Sequence, residues 1–160
     1  MSDPDEGLRE PGVVVADVPQ VAGHGFEPLR AECVVPVSGI NAVSVRALVY
    51  AKGLGLERTR AVFFSHEEGD SLELEAGWSR LGLDVPLEVV DAPYRDLGKP
   101  LLRYLRASTD DPETVVNVVM PELVVRGTDR LLHNQRALYL KRLLLFEPRV
   151  ILTSVPYQLL

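Results

Sequence analysis

Apolar residues gather in five short runs, at 34–37, 61–64, 87–90, 115–119 and 150–152, and between them the pattern changes to a helical spacing. Short apolar runs rich in valine and phenylalanine predict buried strands. Val43, Ala47, Tyr50, Ala51 and Leu54 fall on one face and predict a helix over 41–54, which Gly53 and Gly55 end. Leu74, Trp78 and Leu81 predict a second helix from about Ser71 to Gly82, with Trp78 packed on a sheet. Leu97, Leu101 and Leu105 predict a short third helix, where Pro100 is tolerated because the first turn needs no amide donor there. A fourth is expected over 129–146. Its stripe of Leu131, Leu138 and Leu145, with Leu132, Leu140, Leu143 and Leu144 beside it, is wider than one sheet contact requires, so part of it is expected to face another subunit.

Strict alternation of strand and helix at this spacing implies right-handed crossovers. The expected fold is α/β, a doubly wound five-stranded parallel sheet of flavodoxin-like or universal-stress-protein-like order. Residues 1–31 combine acidic side chains, prolines and glycines without sustained periodicity and are expected to form a flexible arm or linker, with Val13-Val14-Val15 as an alternative edge strand. The domain proper is expected over 32–160.

Composition narrows the function classes. A net charge of −6 disfavours a nucleic-acid partner or an anionic membrane surface, which demand a basic stripe. No stretch has the roughly 20 apolar residues that span a bilayer, and the start Met1-Ser2-Asp3-Pro4 lacks the pattern of a signal peptide. A cytoplasmic domain without direct membrane insertion is expected. Cys33 is the single cysteine, so no disulfide or thiolate metal site forms within one chain, and a buried thiol is expected.

Ligands of an open parallel sheet sit outside the carboxyl ends of its strands, so the strand exits carry the candidate site. The first, Pro36-Val37-Ser38-Gly39 with Asn41, sets a hydroxyl and an amide where a helix begins; this arrangement caps the helix or accepts a phosphate. The second places His66 beside Glu67, as a loop hydrogen-bonding group, or as a base or metal ligand if a partner converges on it; with no second well-placed histidine, no metal site is expected. The third, Asp91-Ala92-Pro93-Tyr94-Arg95, joins a carboxylate, an aromatic ring and a guanidinium that can stack a base and pair a phosphate. The fourth and fifth, Met120-Pro121-Glu122 and Val155-Pro156-Tyr157, are either further binding exits, with Pro121, Glu122 and Tyr157 as nucleotide-binding candidates, or only turns that stop their strands. His133-Asn134-Gln135 adds hydrogen-bonding groups at the fourth helix. No phosphate-binding glycine loop, G-x-S-x-G elbow or catalytic Cys-His spacing is present, and an enzyme is not expected.

Several of these motifs in series, 34–41, 92–95, 120–122, 132–135 with Leu140-Lys141, and 155–157, resemble the soluble C-terminal domain of APC-superfamily permeases, a group that includes KimA-like potassium importers. The resemblance implies the universal-stress-protein fold, a homodimer, attachment to a membrane transporter domain, and cyclic di-AMP as a regulatory ligand rather than a cofactor. ATP-binding universal stress proteins carry an aspartate after the first strand and a glycine-rich loop after the fourth; this chain has Ser38 and the stretch 120–127, which argues against ATP. On that reading Ser38, Gly39 and Asn41 hold phosphate, Tyr94 stacks a base beside Arg95, and His133 and Asn134 read polar edges. The rivals are a ligand-free dimerisation scaffold and a stand-alone universal stress protein.

Overall fold

The computed structural model describes residues 30–67, 69–92, 96–124 and 135–158. Five parallel strands, β1 (Arg30–Val37), β2 (Arg58–Ser65), β3 (Leu87–Asp91), β4 (Thr114–Val124) and β5 (Val150–Gln158), form one sheet in the order β3-β2-β1-β4-β5. Four described helices connect them: α1 (Ala42–Gly53), α2 (Asp70–Trp78), α3 (Gly98–Ser108) and α4 (Gln135–Leu144). The chain reverses direction across the sheet after β3, so right-handed crossovers put α1 and α2 on one face and α3 and α4 on the other. The expected doubly wound α/β architecture is the one formed.

Each face has its own core. Val35, Val37, Ala61 and Val119 pack with Ala47, Leu48 and Ala51 of α1 and Leu74 and Trp78 of α2. Trp78 lies against the sheet as expected, and its indole N–H donates to the Val85 carbonyl at 2.8 Å. A short 3-10 turn, Ser79–Leu81, follows α2 and ends at Gly82, whose positive φ suits a residue without Cβ. The α1 face departs from expectation. Ser44, Ala47, Leu48 and Ala51 are buried, whereas Tyr50 and Leu54 are exposed. Small residues let α1 approach the sheet closely, and the bulkier pair is left to solvent.

On the other face Val34, Val62, Phe64, Val116 and Val118 meet Leu101 and Leu105 of α3 and Leu140 and Leu144 of α4. The helices touch at Gly98, where an added Cβ would fall 2.7 Å from Leu143 Cδ1. The described part of α4 begins at Gln135 and ends at Leu144, two residues short of the expected end at Phe146; residues 129–134 of the expected helix lie outside the described residues.

Pro36 and Pro121 explain where the β1–β4 ladder stops, and Pro156 sits where no described strand needs a donor. Arg30 N–H donates to the Glu113 carbonyl, so even-numbered residues of β1 turn their backbone groups toward β4. Pro36 occupies such a position and has no N–H, and the β1–β4 pairing ends two residues earlier, at Val34 with Val118. Val116 N–H donates to the Arg149 carbonyl, so odd-numbered β4 residues, Pro121 among them, face β1, and Pro156 faces the side of β5 away from β4. Pro36 and Pro121 thus end the β1–β4 ladder, and Pro156 removes no donor that another described strand needs. The predicted turns at 120–122 and 155–157 are therefore corrected: Pro121, Glu122 and Tyr157 lie inside paired strands, with Pro121 opposite Val155 and Leu123 opposite Tyr157. Pro36 and Val37 likewise belong to β1 rather than to its exit.

A polar network is embedded between the sheet and α3 near the amino ends of the strands. Arg60, 3% exposed, donates from Nε to Tyr104 Oη at 2.6 Å, from Nη1 to Glu32 Oε2 at 2.5 Å and from Nη2 to Ser108 Oγ at 2.8 Å. Tyr104 Oη in turn donates to Glu88, which also accepts from Arg58 at 3.2 Å. A buried guanidinium is tolerable because every nitrogen has a partner. Burial, followed by the bond to Glu88, pushes the Tyr104 hydroxyl up to about 12. Burial also pushes the Cys33 thiol from 9.0 up to about 11, against the lowering influence of Arg60.

Arg60→Met strands Glu32, Tyr104 and Ser108 without their donor and is expected to cost about 3 kcal/mol of unfolding free energy, measured by urea denaturation. Because the folded-state pKa of Cys33 is raised, its contribution to stability is complete below pH 9.0 and is lost as pH climbs toward about 11. The urea midpoint is expected to fall over that window, and to fall less steeply in Cys33→Ala.

Candidate functional site

The order β3-β2-β1-β4-β5 puts the reversal of strand order between β1 and β4, and the carboxyl end of that junction is the crevice where parallel α/β sheets take ligands. The same junction is where the ladder ends at Val34 and Val118. Beyond it β1 continues through Val37 paired only to β2, while β4 and β5 run on together to Val124 and Gln158. The crevice thus lies between the end of β1 and a two-stranded extension.

α1 opens into this crevice. Asn41 is its N-cap, in extended conformation, and its side-chain oxygen accepts from Ser44 N–H at 2.9 Å. Asn41 therefore performs the capping role that its residue type predicts. Among the described residues, no protein acceptor meets the N–H groups of Gly39, Ile40, Ala42 or Val43. Ser38 and Asn41 are exposed beside them. A helix start with free amides and a positive dipole end favours an anion.

Alternation along the strands sorts the remaining candidates by face. Val119 and Val155 pack in the α1 core, so Pro121, Leu123 and Tyr157, two and four residues along, project on the α1 side of the extension. Glu122 projects to the opposite face, where its carboxylate accepts from Lys141 Nζ of α4 at 2.7 Å, with both side chains partly buried. Tyr157 thus shares the face of the Ser38–Asn41 turn, whereas Glu122 is committed to an ion pair behind it.

The exits of β2 and β3 form a second cluster on the same rim. His66 Nδ1 lies 2.8 Å from the Ala92 carbonyl, and Ala92 N–H donates to the Ser65 carbonyl at 2.8 Å. Asp70, in the first turn of α2, accepts from His66 N–H at 3.2 Å and Glu67 N–H at 3.0 Å. His66 is a hydrogen-bonding loop residue that ties the two exits together. Asp91 ends β3 opposite Ser65 and is exposed. Asp96 accepts from Gly98 N–H at 2.9 Å and holds the start of α3. Pro93, Tyr94, Arg95, His133 and Asn134 lie outside the described residues.

Sequence reasoning missed the Arg60 network and the Asn117–Thr153 hydrogen bond of 2.9 Å between β4 and β5. Their signal was present: Glu32, Arg60 and Glu88 each stand two residues before a core-facing apolar residue of the same strand face, where a charge needs partners.

The sheet order and the crevice at its point of reversal define a universal-stress-protein-like domain. Residues 30–157 match the family model of the KimA potassium transporter C-terminal domain, and the chain belongs to that family. Over 128 residues it is 27% identical to the potassium transporter KimA of Bacillus subtilis (strain 168), an alignment that covers 78% of this chain and 21% of that protein. The chain thus spans about a fifth of that relative. No described helix is long and apolar enough to cross a membrane.

Asn41→Ala removes the cap on Ser44 N–H and is expected to lower stability by about 1 kcal/mol in urea denaturation, with Asn41→Ser close to the parent.

Proposed function

We propose that this chain is a non-enzymatic regulatory domain of a KimA-type potassium transporter, situated at the cytoplasmic face of the membrane, which senses an adenine nucleotide, cyclic di-AMP, as a homodimer. The observation that carries the ligand reading is the run of amides without described acceptors at the start of α1, set in the crevice beside the β4–β5 extension. These donors suit a phosphate, and Tyr157 on the same side offers an aromatic face to a base. The family membership supports the transporter link, since the relative's own name is that of a potassium transporter.

A dimer is supported by the outer edge of β5, which no other described strand pairs. Leu152 and Ser154 turn their backbone groups away from β4, and Ile151 is 54% exposed on the same strand. An uncovered edge of this length is a template for pairing. A two-fold ligand then meets two equivalent crevices, because an isologous interface repeats each site. The same edge supports the second reading, a scaffold that pairs two transporter copies with no ligand.

Calorimetric titration of the purified chain with cyclic di-AMP, cyclic di-GMP, ATP and AMP separates the two. The sensor reading expects heat and a rise in Tm with cyclic di-AMP, both weakened at least tenfold by Ser38→Glu, which puts a carboxylate beside the phosphate position. Sedimentation that shows a dimer unchanged by any of the four nucleotides, with no heat, overturns the sensor and leaves the scaffold.

A further inference from the structure

The outer face of the α3–α4 layer joins exposed apolar and basic side chains. Leu138, Arg142 and Leu145 recur at i, i+4 and i+7 of α4 and the turn after it, with Leu138 57% and Leu145 72% exposed, and Phe146 follows at 86%. Lys99 and Arg103 stand exposed at i and i+4 on the neighbouring α3. Among the described residues none of Lys99, Arg103 and Arg142 meets a carboxylate. The turn that presents Leu145 and Phe146 is clamped in both directions. Arg106 donates to Glu147 at 3.0 and 2.6 Å, and Arg149, in a left-handed conformation, donates to the Thr109 carbonyl at the end of α3 at 2.5 Å. Two large apolar side chains held rigidly in water form a preorganised docking surface.

The chain itself supplies the complementary segment. The residues before Arg30 hold six of the 23 acidic side chains and one of the 17 basic ones, so the balance from Arg30 onward is close to neutral and nearly all the net charge sits in the arm. Within the arm Val13-Val14-Val15 lies between Glu10 and Asp17, an apolar core with an acidic residue on each side. The arm joins β1 beside the α3 end of this layer: Arg30 N–H donates to the Glu113 carbonyl, and its guanidinium lies 3.7 Å from Asp111, in the loop that leaves α3. From Val15 to Arg30 the chain can extend about 50 Å, and α4 is about 15 Å long, so reach is no obstacle. Tethering raises the local concentration of the segment to the order of millimolar. The acidic arm also repels an anionic lipid surface that would otherwise compete for the same face.

We propose that residues 10–17 dock on the α3–α4 face, with the valines against Leu138, Leu145 and Phe146 and the flanking Glu10 and Asp17 toward Arg103 and Arg142. The docked arm shields the apolar turn.

Hydrogen–deuterium exchange on the whole 160-residue chain tests this. Amides of residues 13–17 are expected to exchange at least tenfold more slowly than an unstructured peptide of the same sequence, and to lose that protection in Leu145→Ser/Phe146→Ser and in Arg103→Glu/Arg142→Glu. All four positions are exposed, so an unchanged Tm verifies folding, and either pair suffices should the other fold poorly. Unprotected amides in the parent chain overturn the proposal. Protection that survives both variants assigns the segment to another surface, such as a strand edge, and protection lost on hundredfold dilution assigns it to a second copy. If residues 13–17 exchange freely while the serine variant stops the chain binding phosphatidylglycerol vesicles, the face belongs to lipid.

Discussion

The hydrogen-bond ladder between β1 and β4 ends at Val34 and Val118, and the candidate site depends on that stop. Where strand order reverses, the two halves of a parallel sheet are joined by one strand pair. Here that pair is short because Pro36 and Pro121 stand at the two positions whose amides would have carried it further. The result is a crevice with α1 at its mouth and a β4–β5 extension along its side, built from backbone chemistry rather than from a dedicated loop.

The energetic support for this rim lies at the opposite end of the strands. Arg60 links β1 and β2 to α3 through Glu32, Tyr104 and Ser108, and Glu88 brings in β3. Such a network is costly to bury and stabilises only when complete, which makes it a device for fixing register more than a source of raw stability. α3 is thereby held at its carboxyl end by the network and the Arg149 clamp, and at its start by Asp96. The β2 and β3 exits gain a similar rigidity from His66 and Asp70.

Much of the architecture was legible in the chain. Strand positions, the doubly wound class, the buried Trp78, the buried Cys33 and the capping role of Asn41 all follow from short-range pattern, because alternation, helical spacing and cap chemistry are local. Two kinds of reading failed for one reason. By sequence Pro121 and Pro156 read as strand-stopping turns, because proline is a turn residue and cannot donate to a ladder. Whether a given position needs a donor depends on which neighbour lies on that side, and that is a property of strand order. The α1 face shifted by the same logic: Tyr50 and Leu54 satisfy helical spacing as well as Leu48 and Ala51, and only the close approach of the sheet chooses between them.

The candidate side chains divide similarly. Sequence alone determined that polar and proline-bearing segments follow the apolar runs, since a parallel sheet forces those ends onto one rim. Tertiary structure decided which of them share a face. Glu122 and Tyr157 are both rim residues by pattern, yet strand alternation sends the first to Lys141 and the second to the α1 face of the sheet. The Arg60 network belongs wholly to the second category, because its members lie on three strands and a helix and meet only when the register of all four is set.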